Sequence, residues 1–220
     1  MSGTSGRSGT GAARVVTVSA TYGAAGALIA PALATRLELP FADRLIPARS
    51  GAAAAPCGEQ LSDEERLATR RTSFLDRLAH LTGGLGLPVP SGDDLRDHVR
   101  EQVERSIHDI AAATGAGGVI LGRAAMVVLA DHPTAFHVRL DGPASRRCAR
   151  AMALEGIDEA TAADRMAETD RARDRYFTRI YGGDAADPAL YHLVLDSTVL
   201  PVEVCVRLIA DAANAFWGPR

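Results

Sequence analysis

The sequence predicts an α/β protein in which a parallel sheet is covered by helices. Two observations carry this. Short β-branched or apolar runs alternate with longer helical patterns along the chain. Most of these runs are also apolar throughout rather than alternating, as expected of strands covered on both faces. The runs fall at 15–20, 39–42, 118–121, 135–140 and 191–195, and the helical patterns at 24–37, 61–82, 93–114, 123–130, 144–155, 158–180 and 201–215. Pro31 lies inside the first helical pattern and is expected to kink it unless it sits in the first turn. Turn formers concentrate at 47–60 and 82–94, but apolar helices resume straight after each, so neither stretch reads as a domain linker.

At 220 residues the chain fits one α/β domain over 14–220. The preceding residues 1–13 are small and polar without an apolar core, as in a disordered tail rather than a signal peptide. No apolar run approaches the ~18 residues a membrane helix needs, and a soluble, cytoplasmic protein is expected. Cys57, Cys148 and Cys205 are widely spaced and form no CxxC, so neither a disulfide framework nor a zinc site is expected. The six histidines, His80, His98, His108, His132, His137 and His192, show no metal-ligand spacing. A formal net charge of −3 gives no general attraction to nucleic acid, and the expected partner is a small molecule. All 24 basic residues are arginine. No lysine side chain is therefore available to sit on a phosphate anywhere in this protein.

In open parallel sheets ligands bind beyond the carboxyl ends of the strands, which directs attention to the residues just after each run. Behind the first, the backbone of Thr21–Gly26 has the layout of a concavity of N–H groups at a helix N-terminus, a shape suited to an anion. The phosphate-loop pattern GxxxxGK[ST] laid on Ala20–Ala27 fails at every fixed position, with Ala20 and Ala25 for the glycines, Gly26 for the lysine and Ala27 for the hydroxyl residue. An ordinary glycine-containing strand-to-helix turn therefore stands beside the phosphate reading. Arg123 ends one strand and starts a helix, where a cation opposes the macrodipole. Either an anionic ligand or a surface carboxylate would relieve it. Arg171, Arg175 and Arg179 recur at i, i+4 on one face of a helix. Such a stripe suits a lid over phosphoryl groups, and equally a solvated face paired with Glu168, Asp170 and Asp174.

Taken together, "VVTVSATYGAAGALIAPALATRLELPFADRLI", "VILGRAAMVVL" and "DRARDRYFTRIYGGDAADPALYHLVLDSTVL" resemble the cytidylate kinase-like family of nucleoside monophosphate kinases. The resemblance spans about residues 14–213, and its most specific piece runs from Asp170-Arg171 through Tyr181-Gly182 and Asp187-Pro188 to Leu193-Val194-Leu195. It implies a P-loop fold with a five-stranded parallel sheet, an NMP-binding insertion over 47–115 and a short arginine-bearing lid over 156–190. It implies transfer of the ATP γ-phosphoryl to CMP or dCMP, with Mg²⁺. Carried over by position, Thr21, Tyr22, Gly23, Ala24, Ala25, Gly26 and Ala27 would hold the nucleotide phosphates. Asp43, Arg44 and Arg123 would line the acceptor site, and Arg171 and Arg175 would be the catalytic lid arginines.

The family commonly reads like "REYGSGGREIA" at this loop and itself lacks the lysine. Here Ala20-Thr21 and Ala27-Leu28 replace both Arg-Glu pairs, so four charged positions have become uncharged. Two readings follow: a kinase that uses arginines in place of the loop lysine, or a catalytically dead pseudokinase that binds a nucleotide or phosphate.

Overall fold

The computed structural model of the chain describes residues 13–43, 92–112, 117–122 and 125–218. The expected tail over 1–13, apart from Ala13, lies outside them. So do the helix expected over 61–82, the loop at 47–60, most of the loop at 82–94, Cys57, His80, Arg44 and Arg123.

Five strands form one sheet: β1 (Arg14–Ala20), β2 (Phe41–Asp43), β3 (Gly117–Leu121), β4 (Ala135–Asp141) and β5 (Leu193–Asp196). Their order is β2-β3-β1-β4-β5, with every pairing parallel. The strand that carries the loop of interest is therefore central, with Val16 in register with Val119 on one side and Phe136 on the other.

Side chains alternate across a strand, and the two faces of this sheet differ in chemistry. Val16, Val18, Val138 and Leu140 face an apolar layer built by helices α1 (Gly26–Leu37) and α6 (Val202–Trp217), through Ile29, Leu33, Cys205 and Ile209. Val15, Ile120 and Ala135 turn the other way, onto α2 (Gly92–Ala112) and the short α3 (Ala125–Val128). The buried polar residues Thr17, Ser19, His137 and Arg139 all hold odd positions on β1 and β4 and so share this second face. Burial on both faces, expected from the sequence, holds for β1, β3 and β4. Strand β5 is an edge, with Val194 half exposed.

Helix α1 runs through Pro31, and the Thr35 hydroxyl donates to the Pro31 carbonyl at 3.1 Å. Helix α3 occupies Ala125–Val128 and ends before the expected 130, while the expected start at 123 lies outside the described residues. Helices α4 (Ala144–Glu155) and α5 (Glu159–Tyr181) are joined by three residues and pack on each other through Cys148, Ala151 and Ala162. The turn is specified locally. Gly156 closes α4 in the left-handed region, and the Asp158 carboxylate caps α5 by accepting from the Thr161 N–H at 2.8 Å.

Candidate functional site

The loop between β1 and α1 is compact and buried. Gly23 and Ala25 both take positive φ, 76° and 59°, which folds Thr21–Ala25 back on itself, and the Ala24 N–H donates to the Thr21 carbonyl. Ala24 and Ala25 pack into the apolar layer under α1, while Ser197, itself fully buried, donates its hydroxyl to the Ala24 carbonyl at 2.8 Å. An alanine in the left-handed region stores strain of about 1 kcal/mol that a glycine would avoid. Packing of its methyl is what that strain is set against.

Gly23 is fixed by a close approach. A Cβ there would run into the backbone carbonyl of Arg147 in α4, in addition to the cost of its φ. Gly23→Ala is expected to lose about 2 kcal/mol, seen as a fall of roughly 4–8 °C in Tm for a domain of this size. Gly122→Ala, where nothing lies within 4 Å, serves as the control with a change under roughly 0.5 kcal/mol. If Gly23→Ala melted with the parent, the loop would not be packed on α4 in solution.

Charged side chains from three elements converge on this loop. The Arg147 guanidinium donates to the Tyr22 carbonyl at 2.9 Å, to the Gly142 carbonyl at 3.0 Å and to Asp170 Oδ2 of α5 at 2.7 Å. Asp170 Oδ1 in turn accepts from the Tyr22 N–H at 3.1 Å. Arg173, also on α5, donates to the Ala20 carbonyl at the end of β1. On the sheet, Arg139 reaches Asp141 Oδ2 at 2.8 Å and the Ala185 carbonyl at 2.7 Å, and the Thr21 hydroxyl donates to Asp141 Oδ1 at 2.9 Å. Burial would raise the Asp141 carboxyl, but the Gly142 N–H, the Arg139 guanidinium and the Thr21 hydroxyl together hold it below its ordinary value.

The structure thus brings Thr21–Ala27 to the carboxyl end of the central strand. Asp43 ends β2 in register with Leu121, at the same end of the sheet, while Arg44 and Arg123 lie outside the described residues. Arg171 and Arg175 are exposed on α5, and Arg171 donates to the carbonyl of Ala167 one turn back in its own helix. Asp170, read as a possible partner for that stripe, is instead bonded to Arg147 across the α4–α5 contact.

Arg147 and Arg173 escaped the sequence reading for different reasons. The i, i+4 rule selects the middle of a polar face, and on α5 that face points away from the buried side formed by Thr169, Ala172 and Tyr176. A guanidinium that reaches inward starts from the flank of the apolar stripe, where Arg173 sits. For Arg147 the available signal was an arginine pair, Arg146-Arg147, a few residues beyond the carboxyl end of β4.

Among the described residues no group of three His, Cys, Asp or Glu is placed to hold a metal ion, and no helix is long and apolar enough to cross a membrane. The groups gathered here include backbone N–H groups and guanidinium groups, chemistry that suits phosphoryl oxygens, with the Tyr22 and Ala24 N–H groups and Arg147 bonded within the protein itself.

Known proteins resemble this chain in family and in fold. The model of the cytidylate kinase-like family matches residues 15–199. A stretch of 113 residues is 26% identical to the cytidylate kinase of Aeropyrum pernix, covering 51% of this chain and 64% of that one. Another, of 111 residues, is 29% identical to part of the uronate isomerase of Corynebacterium glutamicum, covering 50% of this chain and 21% of that one. The chain therefore spans less than two thirds of either relative. Among solved structures, a protein of Eubacterium ventriosum described as uncharacterized superposes with a TM-score of 0.61 at 18% identity, covering 91% of this chain and 98% of that one. A gluconokinase from Sinorhizobium meliloti follows at 0.51 and 13%, covering 92% and 93%. A sugar kinase from Janibacter sp. follows at 0.50 and 20%, covering 91% and 98%. At these identities the likeness speaks for the P-loop kinase fold alone.

Proposed function

The chain belongs to the cytidylate kinase-like family, and from that premise we propose that it is a phosphotransferase moving the ATP γ-phosphoryl to CMP, dCMP or a similar acceptor in the cytoplasm. The observation that supports this reading is the convergence of Arg147, from α4, and Arg173, from the helix α5 that would form the lid, on the β1–α1 loop. Phosphoryl transfer is mostly positioning plus charge stabilisation, so guanidinium groups brought to the phosphates can stand in for a loop lysine.

In this reading Thr21–Ala27 hold the donor phosphates, and Asp43, Arg44 and Arg123 meet the acceptor. Residues 47–115 form the acceptor-binding insertion and 156–190 the lid. Arg173 faces the phosphates from the flank of α5, and Arg171 and Arg175 swing in from its exposed side when substrate is bound. The nucleotide supplies the transferable phosphoryl group. The residues described do not form a ready magnesium site: position 27 is alanine rather than a hydroxyl residue, and Asp141 is engaged by Thr21, Gly142 and Arg139. Magnesium would enter already held by phosphate oxygens and water, its common mode in such enzymes.

Asp170 on the Tyr22 N–H, together with the missing lysine, favours a second reading, a nucleotide binder without turnover. A coupled ADP-release assay with Mg-ATP against CMP, dCMP, UMP, AMP and GMP separates the two. Turnover with a pyrimidine acceptor is the expected result. Nucleotide-dependent stabilisation without ADP would select the second reading, because a ligand of the native state raises Tm whether or not it reacts. Neither turnover nor a shift at millimolar nucleotide would overturn both.

A further inference from the structure

Tyr22 is the residue through which the loop and the α4–α5 pair are joined, and nothing in the assignment of the loop to phosphate explains its side chain. The ring points away from the loop's own concavity into the cluster of Cys148, Ala151 and Ala162, flanked by Met152, Ile157 and Met166, and the residue is 2% exposed. Its hydroxyl donates to Glu155 Oε1 at the end of α4 at 2.6 Å. Glu155 Oε2 is held by Arg165 of α5 at 2.6 Å. The Tyr22 N–H and carbonyl are held by Asp170 and Arg147, which pair with each other. One loop residue is thus gripped at its amide, its carbonyl, its ring and its hydroxyl by the same two helices.

We propose that Tyr22 is a positioning residue that makes the β1–α1 loop and the α4–α5 hairpin one opening unit, so that the helix pair sets the loop's geometry. This rests on the reading of the loop as a phosphate site only for its functional consequence: an anion held by the loop stabilises the hairpin, and loosening the hairpin weakens the anion. The mechanical part stands on the contacts alone. Helix α5 cannot leave α4 without exposing the ring of Tyr22 and breaking the bonds of Asp170 to Tyr22 and Arg147. The loop cannot rearrange around Gly23 without the same losses.

Native-state hydrogen exchange on the full chain tests it, with Tyr22→Phe and Glu155→Gln beside the parent. Tyr22→Phe keeps the ring and removes only the bond to the Glu155 carboxylate, so the protein is expected to fold. Loop amides and mid-α5 amides are expected to exchange at matched rates in the parent. Both should accelerate together, by roughly tenfold, in each variant, while β1 and β4 amides keep their protection. Acceleration of the loop without α5, of α5 without the loop, or of the sheet by the same factor overturns the proposal.

A titration with inorganic pyrophosphate reads the functional half. Loop and mid-α5 amides of the parent are expected to gain protection by the same factor as pyrophosphate is raised, because a ligand bound only to the closed unit raises the cost of opening it for both. Protection gained by the loop without α5 overturns the functional half. A parent that binds no pyrophosphate while exchange remains coupled would fault the phosphate reading and leave the mechanical unit standing.

Discussion

Arg173→Ala is expected to lower kcat by 10²–10³-fold with a much smaller change in Tm, the loss typical of removing one preorganised charged donor from a transition state. The residue donates to the Ala20 carbonyl at the mouth of the loop, and of the α5 arginines 171, 173 and 175 it is the one bonded to the loop in the structure. Arg171→Ala and Arg175→Ala make the informative comparison. Both side chains are exposed, and their effect on kcat depends on a lid movement that Arg173 does not need. Loss of turnover in Arg171→Ala with a normal Arg173→Ala enzyme would mean that the exposed stripe does the chemistry and Arg173 only braces the end of β1. Steady-state kcat and KM from the coupled assay, alongside thermal melts of each variant, decide between them.

The second large effect is on stability, and it is pH-dependent. His137 is 4% exposed on β4, its Nδ1 paired with the Thr17 hydroxyl at 2.8 Å and its Nε2 without a hydrogen-bond partner among the described residues. Its ring stacks on His192, with centroids 5.0 Å apart. Burial pushes the His137 imidazole from 6.5 down to about 4, and the positive charges His192 and His132 would carry push the same way, against the Leu129 backbone. In the window from 6.5 to about 4 the unfolded chain binds a proton that the folded chain refuses, so stability is full above that window and falls as pH drops through it. The loss is on the order of 3 kcal/mol by the bottom of the window. Asp141, held below its ordinary 3.8, titrates beneath it.

Urea unfolding of the parent and His137→Gln at pH 7.5, 6, 5 and 4.5 isolates this contribution, since acid effects from other groups appear in both. The difference between the two proteins is expected to shrink or reverse as pH falls. Parallel curves would show that His137 is protonated at its ordinary pH in the folded state.

The comparison of sequence with structure divides along the range of the signals. Periodicity is local, and it located the five strands, the α4 boundaries at 144 and 155, and α5 to within a residue at each end. The placement of the loop at the carboxyl end of a central strand also followed, because a parallel sheet allows few other arrangements. What was not legible depends on which residues distant in sequence meet. Asp170 looked like a partner for neighbouring arginines, whereas it bonds to positions 22 and 147, far off in sequence. Tyr22 looked like part of a phosphate loop, whereas its ring belongs to the core of a helix pair that starts more than a hundred residues later. Spacing rules see one helix at a time, and these contacts exist only between elements.

The central position of β1 also orders events in time. Its two neighbours, β3 and β4, pair Val15 with Gly118 and Ala135, so the loop-bearing strand has no partner until the chain has grown by more than a hundred residues. At roughly 5–20 residues per second of synthesis, that is a wait on the order of ten seconds. The apolar run at 15–18 spends it unpaired. Closing contacts of such long sequence separation is also slow. The segment on which any phosphate chemistry would depend is thus made well before the strands that complete it, so a truncation before β4 would be expected to yield a nascent chain with an exposed strand, open to chaperones and to aggregation.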